Sequence, residues 1–134
     1  MLRKFNYYDC KSVSTPYDPN IILKKSMREL ISQHKYAHLI GSLLYITNRT
    51  RPDIAFDVNK LSRHTSNSST EHWIALGRVF KYLRGIVDYC LLYIGYPDAI
   101  EDYTDATGNW LSDVKPISGL VFMLGGAAIS WGSN

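Results

Sequence analysis

The sequence predicts an α+β fold with helices first and an antiparallel β-meander after them. Three observations lead there. Apolar residues recur with a helical period up to about residue 87 and then fall into short runs rich in β-branched and aromatic residues. The charge changes sign at the same place. Residues 1–87 hold 14 Lys and Arg against 6 Asp and Glu, a net +8, whereas residues 88–134 hold 1 Lys against 6 acidic residues, a net −5. Finally, Gly125-Gly126 lies between two of the short runs, as a tight hairpin turn requires. A chain of 134 residues is enough for one domain, and 46% hydrophobic against 20% charged residues excludes a disordered composition.

Taken in order, residues 1–33 read as a linker-like segment. "STPYDPN" (14–20) is turn chemistry, because Pro16 and Pro19 rule out a helix through it. "KKSMRELISQ" (24–33) reads as a short helix or an irregular linker. Residues 34–87 form the helical part. Leu39, Ile40, Leu43 and Leu44 make a stripe, extended by Tyr36 and Ile46. "TRPDIAFDVNKLSRH" (50–64) places Pro52 in a first helical turn and Asp53 at the positive end of its dipole, with Ile54, Val58 and Leu61 on one face. "TSNSS" (65–69) is a loop. Ser68-x-x-Glu71 fits a capping box for the next helix, whose apolar face is Trp73, Leu76, Phe80 and Leu83 and whose C′ residue is Gly85. Residues 88–134 are the β part, with strands over "YCLLYI" (89–94), "AIEDYT" (99–104), "GLVFMLG" (119–125) and "AAISW" (127–131).

The basic half points to polyanions. Arg78, Lys81 and Arg84 recur opposite the apolar stripe of the last helix, and Lys60 and Arg63 add charge on its neighbour. Such a face neutralises phosphates without reading sequence, although an ordinary solvated helix face has the same pattern. His34 and His38 have helical i, i+4 ligand spacing, but no Glu follows His34 and no third ligand is near, so a structural pair is the simpler reading. His72 likewise reads as structural. Gly125-Gly126 lacks the frame of a phosphate-binding loop.

Of the carboxylates in "EDYTDATGNW" (101–110), Asp105 is the candidate for metal-dependent phosphodiester chemistry. That chemistry needs several carboxylates around its ions. In a regular strand Asp102 points away from Asp105, and Asp113 lies in the loop beyond. From spacing alone, Asp105 reads more simply as a strand-end turn residue.

No apolar run reaches the ~18 residues of a membrane span. "MLRKFNYYDC" has no signal-peptide core, which predicts an intracellular protein, cytoplasmic or nuclear, with an organelle left open. Cys10 and Cys90 then read as free thiols.

Several stretches together resemble a known family. "RKFNYYDCKSVSTPYDP", "YAHLIGSLLYITNRTRPDIAFDVNKLSRH", "EHWIALGRVFKYLRG", "YTDA" and "SGLVFMLGGAAISW" are similar, in order and spacing, to the Pol polyprotein of copia-type LTR retrotransposons. The resemblance spans nearly the whole chain. It implies that 34–87 is the thumb-like C-terminal part of a reverse transcriptase and that 88–134 holds the first strands of a truncated ribonuclease H domain. It also implies that Asp105 matches that domain's first catalytic aspartate, a magnesium ligand in the intact family enzyme, with the other carboxylates downstream of this chain. Thr107-Gly108 and "KPISG" (115–119), both downstream of Asp105, depart from the family pattern.

The expectation is therefore a polyprotein fragment with no cofactor of its own and no autonomous catalysis, Asp105 being vestigial. Two alternatives stand beside it. One is a nucleic-acid-binding module that holds an RNA–DNA hybrid through Lys60, Arg63, Arg78, Lys81 and Arg84. The other is an interaction fragment, not membrane-bound, that associates through its exposed sheet edges.

Overall fold

The computed structural model describes residues 1–21, 23, 32–107 and 117–133. It has the predicted α+β architecture: three helices, then a three-stranded antiparallel sheet of order β1-β2-β3. Residues 24–31 of the short helix proposed over 24–33, and the loop holding Asp113, lie outside the described residues.

Helix α1 (Gln33–Thr50) buries Tyr36, Leu39, Ile40, Leu43 and Thr47, the face its periodicity marked. Pro52–Ile54 then make one 3₁₀ turn, and α2 (Ala55–Ser62) follows. The turn is pinned by Arg51, whose guanidinium donates to both oxygens of Asp53 at 2.9 and 2.7 Å. The Tyr82 hydroxyl adds a third hydrogen bond to Asp53, at 3.0 Å. Burial works against the Asp53 charge, but Arg51 and Tyr82 outweigh it and hold the carboxyl below its ordinary range.

Helix α3 (Thr70–Gly85) starts one residue later than the sequence pattern suggested. The N-cap is Ser69, and the N3 partner is His72, not Glu71. The Ser69 amide donates to His72 Nδ1 at 3.0 Å, and its hydroxyl lies 2.6 Å from Glu71. Ser68 is withdrawn from capping because it is fully buried, its amide and hydroxyl both bonded to the Gln33 side chain at 3.1 Å. Gly85 is the last helical residue instead of lying past the end, and a Cβ there would come within 3.0 Å of Ser12.

The helices enclose one core of Tyr36, Ile40, Leu43, Ile54, Val58, Leu76, Val79 and Phe80, with Trp73 partly buried beside it. Residues 1–21 form no helix or strand, yet they lie along α3 as a strap. Tyr7 stacks on Phe80 at 4.8 Å, and Phe5 packs on it at 5.8 Å. Gly77 admits the strap, since a Cβ there would stand 3.0 Å from the Tyr7 hydroxyl.

The apolar run at 89–94 is not a strand. It passes the end of the sheet, tied by the Ile94 amide to the Gly125 carbonyl at 2.8 Å and by the Tyr93 hydroxyl to the Ala128 carbonyl at 2.9 Å. A continuous apolar run fits a strand buried on both faces. Among the described residues no strand pairs with it to continue a ladder, and Leu92, Tyr93 and Ile94 stay exposed.

The other three strands form: β1 (Glu101–Thr107), β2 (Ile117–Leu124) and β3 (Ala127–Ser133). Gly125 and Gly126 have φ of 60° and 84°, as a primed two-residue turn demands. Pairing shifts between Phe122 and Met123, leaving Ile129 as the extra residue of a bulge.

The register places Tyr103, Val121 and Trp131 in one row across the sheet and Asp105, Gly119 and Ser133 in the next. This face meets the helices. Trp131 Nε1 donates to the Thr47 carbonyl at 2.7 Å, and the Asn59 amide group donates to the Ser133 carbonyl. No helix among the described residues is long and apolar enough to cross a membrane. Cys10 and Cys90 are free thiols.

Candidate functional site

Where the sheet meets the helices, a cleft of about 330 Å³ opens. Its helical wall is Pro52, Ala55 and Phe56; its sheet wall includes Tyr103, Asp105, Val121, Trp131 and Ser133. Asp105 is exposed within it. Asp102 is on the opposite face of β1, as strand alternation predicts. Among the described residues no three His, Cys, Asp or Glu side chains gather into a possible metal centre. The described lining therefore offers one carboxylate, which does not make a two-ion site.

The basic residues fall into two groups. Arg63 and Lys81 are exposed. The other three are engaged by the strap. Arg78 donates to the Thr15 carbonyl at 3.1 Å and hydroxyl at 3.0 Å, and pairs with Asp18 at 3.1 Å. Arg84 donates to the Tyr8 carbonyl, with its guanidinium 5.0 Å from the Tyr8 ring. The Lys60 ammonium lies 4.8 Å from the Tyr17 ring and 5.8 Å from that of Phe56. Helical spacing put these side chains on one face and could not show that the N-terminal segment lies on it. Gly77 and Gly85, two small residues on one helix, were the available sign of such a close approach.

Two titratable groups are buried in the helices, Asp57, which the sequence reading missed, and His72, which it took as structural. Asp57 is 7% exposed in α2, and burial pushes its carboxyl up to about 6 although Lys60 opposes this. His72 is fully buried. Burial first, and the tilted His64 ring 4.2 Å away second, bring its imidazole down to about 4. Among the described residues His72 Nε2 has no hydrogen-bond partner. The other histidine pair does not converge on a ligand: the His38 ring packs edge-on against Phe5 at 5.7 Å.

The chain is 36% identical along its whole length to the retrovirus-related Pol polyprotein from transposon TNT 1-94 of Nicotiana tabacum, covering 11% of that protein. It is 33% identical, again along its whole length, to the Pol polyprotein from transposon RE2 of Arabidopsis thaliana, covering 9% of it. The chain belongs to the copia-type, retrovirus-related Pol polyproteins. This Pol segment thus spans about a tenth of the length of those curated relatives. Over 74% of its residues it is also 36% identical to secreted RxLR effector protein 161 of Plasmopara viticola, of which it covers 71%. No family model and no solved structure matches it. Of the two departures from the copia pattern, Gly108, Lys115 and Pro116 lie outside the described residues, while Thr107 ends β1 and Ile117, Ser118 and Gly119 open β2.

Proposed function

We propose that this Pol segment joins the reverse-transcriptase and ribonuclease H regions of a copia-type polyprotein and does not hydrolyse or polymerise nucleic acid on its own. The observation that supports this reading is the position of Asp105. Its strand, β1, is paired through β2 to β3, the strand that meets the helices through Trp131 and the Ser133 carbonyl, yet the cleft Asp105 enters supplies no second carboxylate among the described residues. Such a chain holds one potential ligand ready and depends on residues elsewhere for the rest.

The test is incubation of the full chain with an end-labelled RNA–DNA hybrid in magnesium. The expected result is no cleavage above the buffer blank. Magnesium-dependent cleavage that disappears in Asp105→Asn would overturn the proposal.

A second reading is supported by the exposure of Arg63 and Lys81: sequence-independent attachment to an RNA–DNA hybrid. With Lys60, Arg78 and Arg84 engaged by the strap, the free basic surface is narrower than the sequence pattern implied.

A further inference from the structure

We propose that the cleft beside Asp105 receives an arginine side chain presented by a basic polypeptide, a role separate from any hydrolysis. Four features of the cleft fit a guanidinium together. The first is charge. Among the described residues Asp105 has no cation or hydrogen-bond partner and no Lys or Arg lines the cleft, the Lys60 ammonium standing 5.8 Å from the Phe56 ring, and β1 carries Glu101 on the same face. A positive group is drawn in, and a phosphate meets a carboxylate with nothing to neutralise it.

The second is the walls. Phe56 and Tyr103 are 42% and 56% exposed, and half-buried Trp131 stands in the row of Tyr103. Planar guanidinium stacks on aromatic faces and is less strongly hydrated than an ammonium, so it loses less on entering a partly apolar cleft.

The third is an unused acceptor. Ser133 Oγ is buried with no hydrogen-bond partner among the described residues, in the same row as Asp105. Two strand spacings separate them, ~10 Å between backbones. A guanidinium has five N–H donors spread around its plane, so it can give a fork to the carboxylate and keep donors for the row beyond, where the Ser133 hydroxyl must turn out of its buried position to accept one.

The fourth is room. Gly119 lies between Asp105 and Ser133, and a Cβ there would meet no atom within 4 Å. The middle of the row is therefore a notch in the sheet face.

The test is titration of the full chain at low salt with an end-blocked Gly-Arg-Gly peptide, its Gly-Lys-Gly twin and guanosine, followed by amide chemical shifts. The arginine peptide is expected to bind saturably, shifting β1 and β3, and at least ~tenfold more tightly than the lysine peptide, which lacks the fork. Asp105→Asn should weaken it at least ~tenfold, the scale of one charge-assisted hydrogen bond. Gly119→Val suits a strand position and leaves the carboxylate in place, so it should block binding while the thermal midpoint is kept. Absence of binding, equal binding of the two peptides, or binding indifferent to either substitution would overturn the proposal. Tighter binding of guanosine would do so too, because a base edge would then be the ligand.

Discussion

Lowering the pH should loosen this protein through His72, and the loss can be isolated with His72→Gln. In the fold, His72 Nδ1 accepts the Ser69 amide at 3.0 Å, which requires the neutral ring with its proton on Nε2. Protonation would turn Nδ1 into a donor facing the Ser69 amide, leaving the Ser69 hydroxyl, 2.6 Å away, to accept it. Burial brings the folded imidazole to about 4, from an ordinary value of 6.5. Because the folded value is depressed, the unfolded chain takes up the proton first. The stabilisation is therefore complete above about 6.5 and is lost as pH falls through about 4. At ~1.4 kcal/mol per pH unit, the loss approaches ~3 kcal/mol, a large share of a small domain's stability.

Glutamine at N3 keeps an acceptor for the N-cap amide and has no proton to gain. Urea unfolding followed by far-UV circular dichroism at pH 7, 6, 5 and 4 should show the wild-type protein losing ~2–3 kcal/mol relative to His72→Gln over that range. A difference that stays constant with pH would refute the assignment. The comparison must be with the variant, because Asp57 acts in the opposite direction. Its carboxyl is raised from 3.8 to about 6, so the folded state holds that proton longer, and stability is greatest at low pH and falls as pH rises from 3.8 through 6. Between about 4 and 6 the two slopes nearly cancel, and a wild-type profile alone would look flat.

The same reasoning predicts that Asp57→Asn stabilises the protein by ~1–3 kcal/mol at pH 7 and changes little near pH 3, read from urea midpoints. Gly126→Ala should cost ~1–2 kcal/mol, since φ of 84° is strained for any residue with a Cβ and that Cβ would stand 3.1 Å from Ile94; a smaller thermal shift than Gly41→Ala gives would contradict this. In hybrid-binding titrations, replacing Arg63 and Lys81 with Ala should reduce the salt slope by up to ~2. Replacing Arg78 and Arg84 should instead lower the unfolding midpoint, because those two hold the strap; the reverse pattern would mean that the strap lifts off to bind.

What was legible in the sequence was whatever its own local period determines. The buried face of α1, the Pro52 turn, the Phe80 face of α3 and the Gly125-Gly126 hairpin each follow from residues within a few positions of one another. What was hidden depended on contacts between distant segments. The cap of α3 moved from Ser68 to Ser69 because Gln33, 35 positions earlier, claims Ser68. "YCLLYI" has strand composition, but a strand is completed only by a neighbour, and the nearest backbone is a hairpin turn. The cleft of Asp105 was invisible for the same reason: Phe56 and Trp131 are 75 residues apart and meet only because the sheet docks on the helices.

The strap changes what the basic half of the chain means. A stripe of Arg and Lys along one helix is usually taken as a surface for phosphates, and the net +8 invites that reading. Here Asp18 neutralises Arg78, and backbone carbonyls of Thr15 and Tyr8 occupy the forks of Arg78 and Arg84. These bonds order a segment with no regular structure of its own, and the packing of Phe5 and Tyr7 on Phe80 contributes the apolar part. To hold nucleic acid through the full stripe, the protein would have to give up both. Attachment through Arg63 and Lys81 needs no such rearrangement, so phosphate affinity and strap stability should vary independently in this Pol segment.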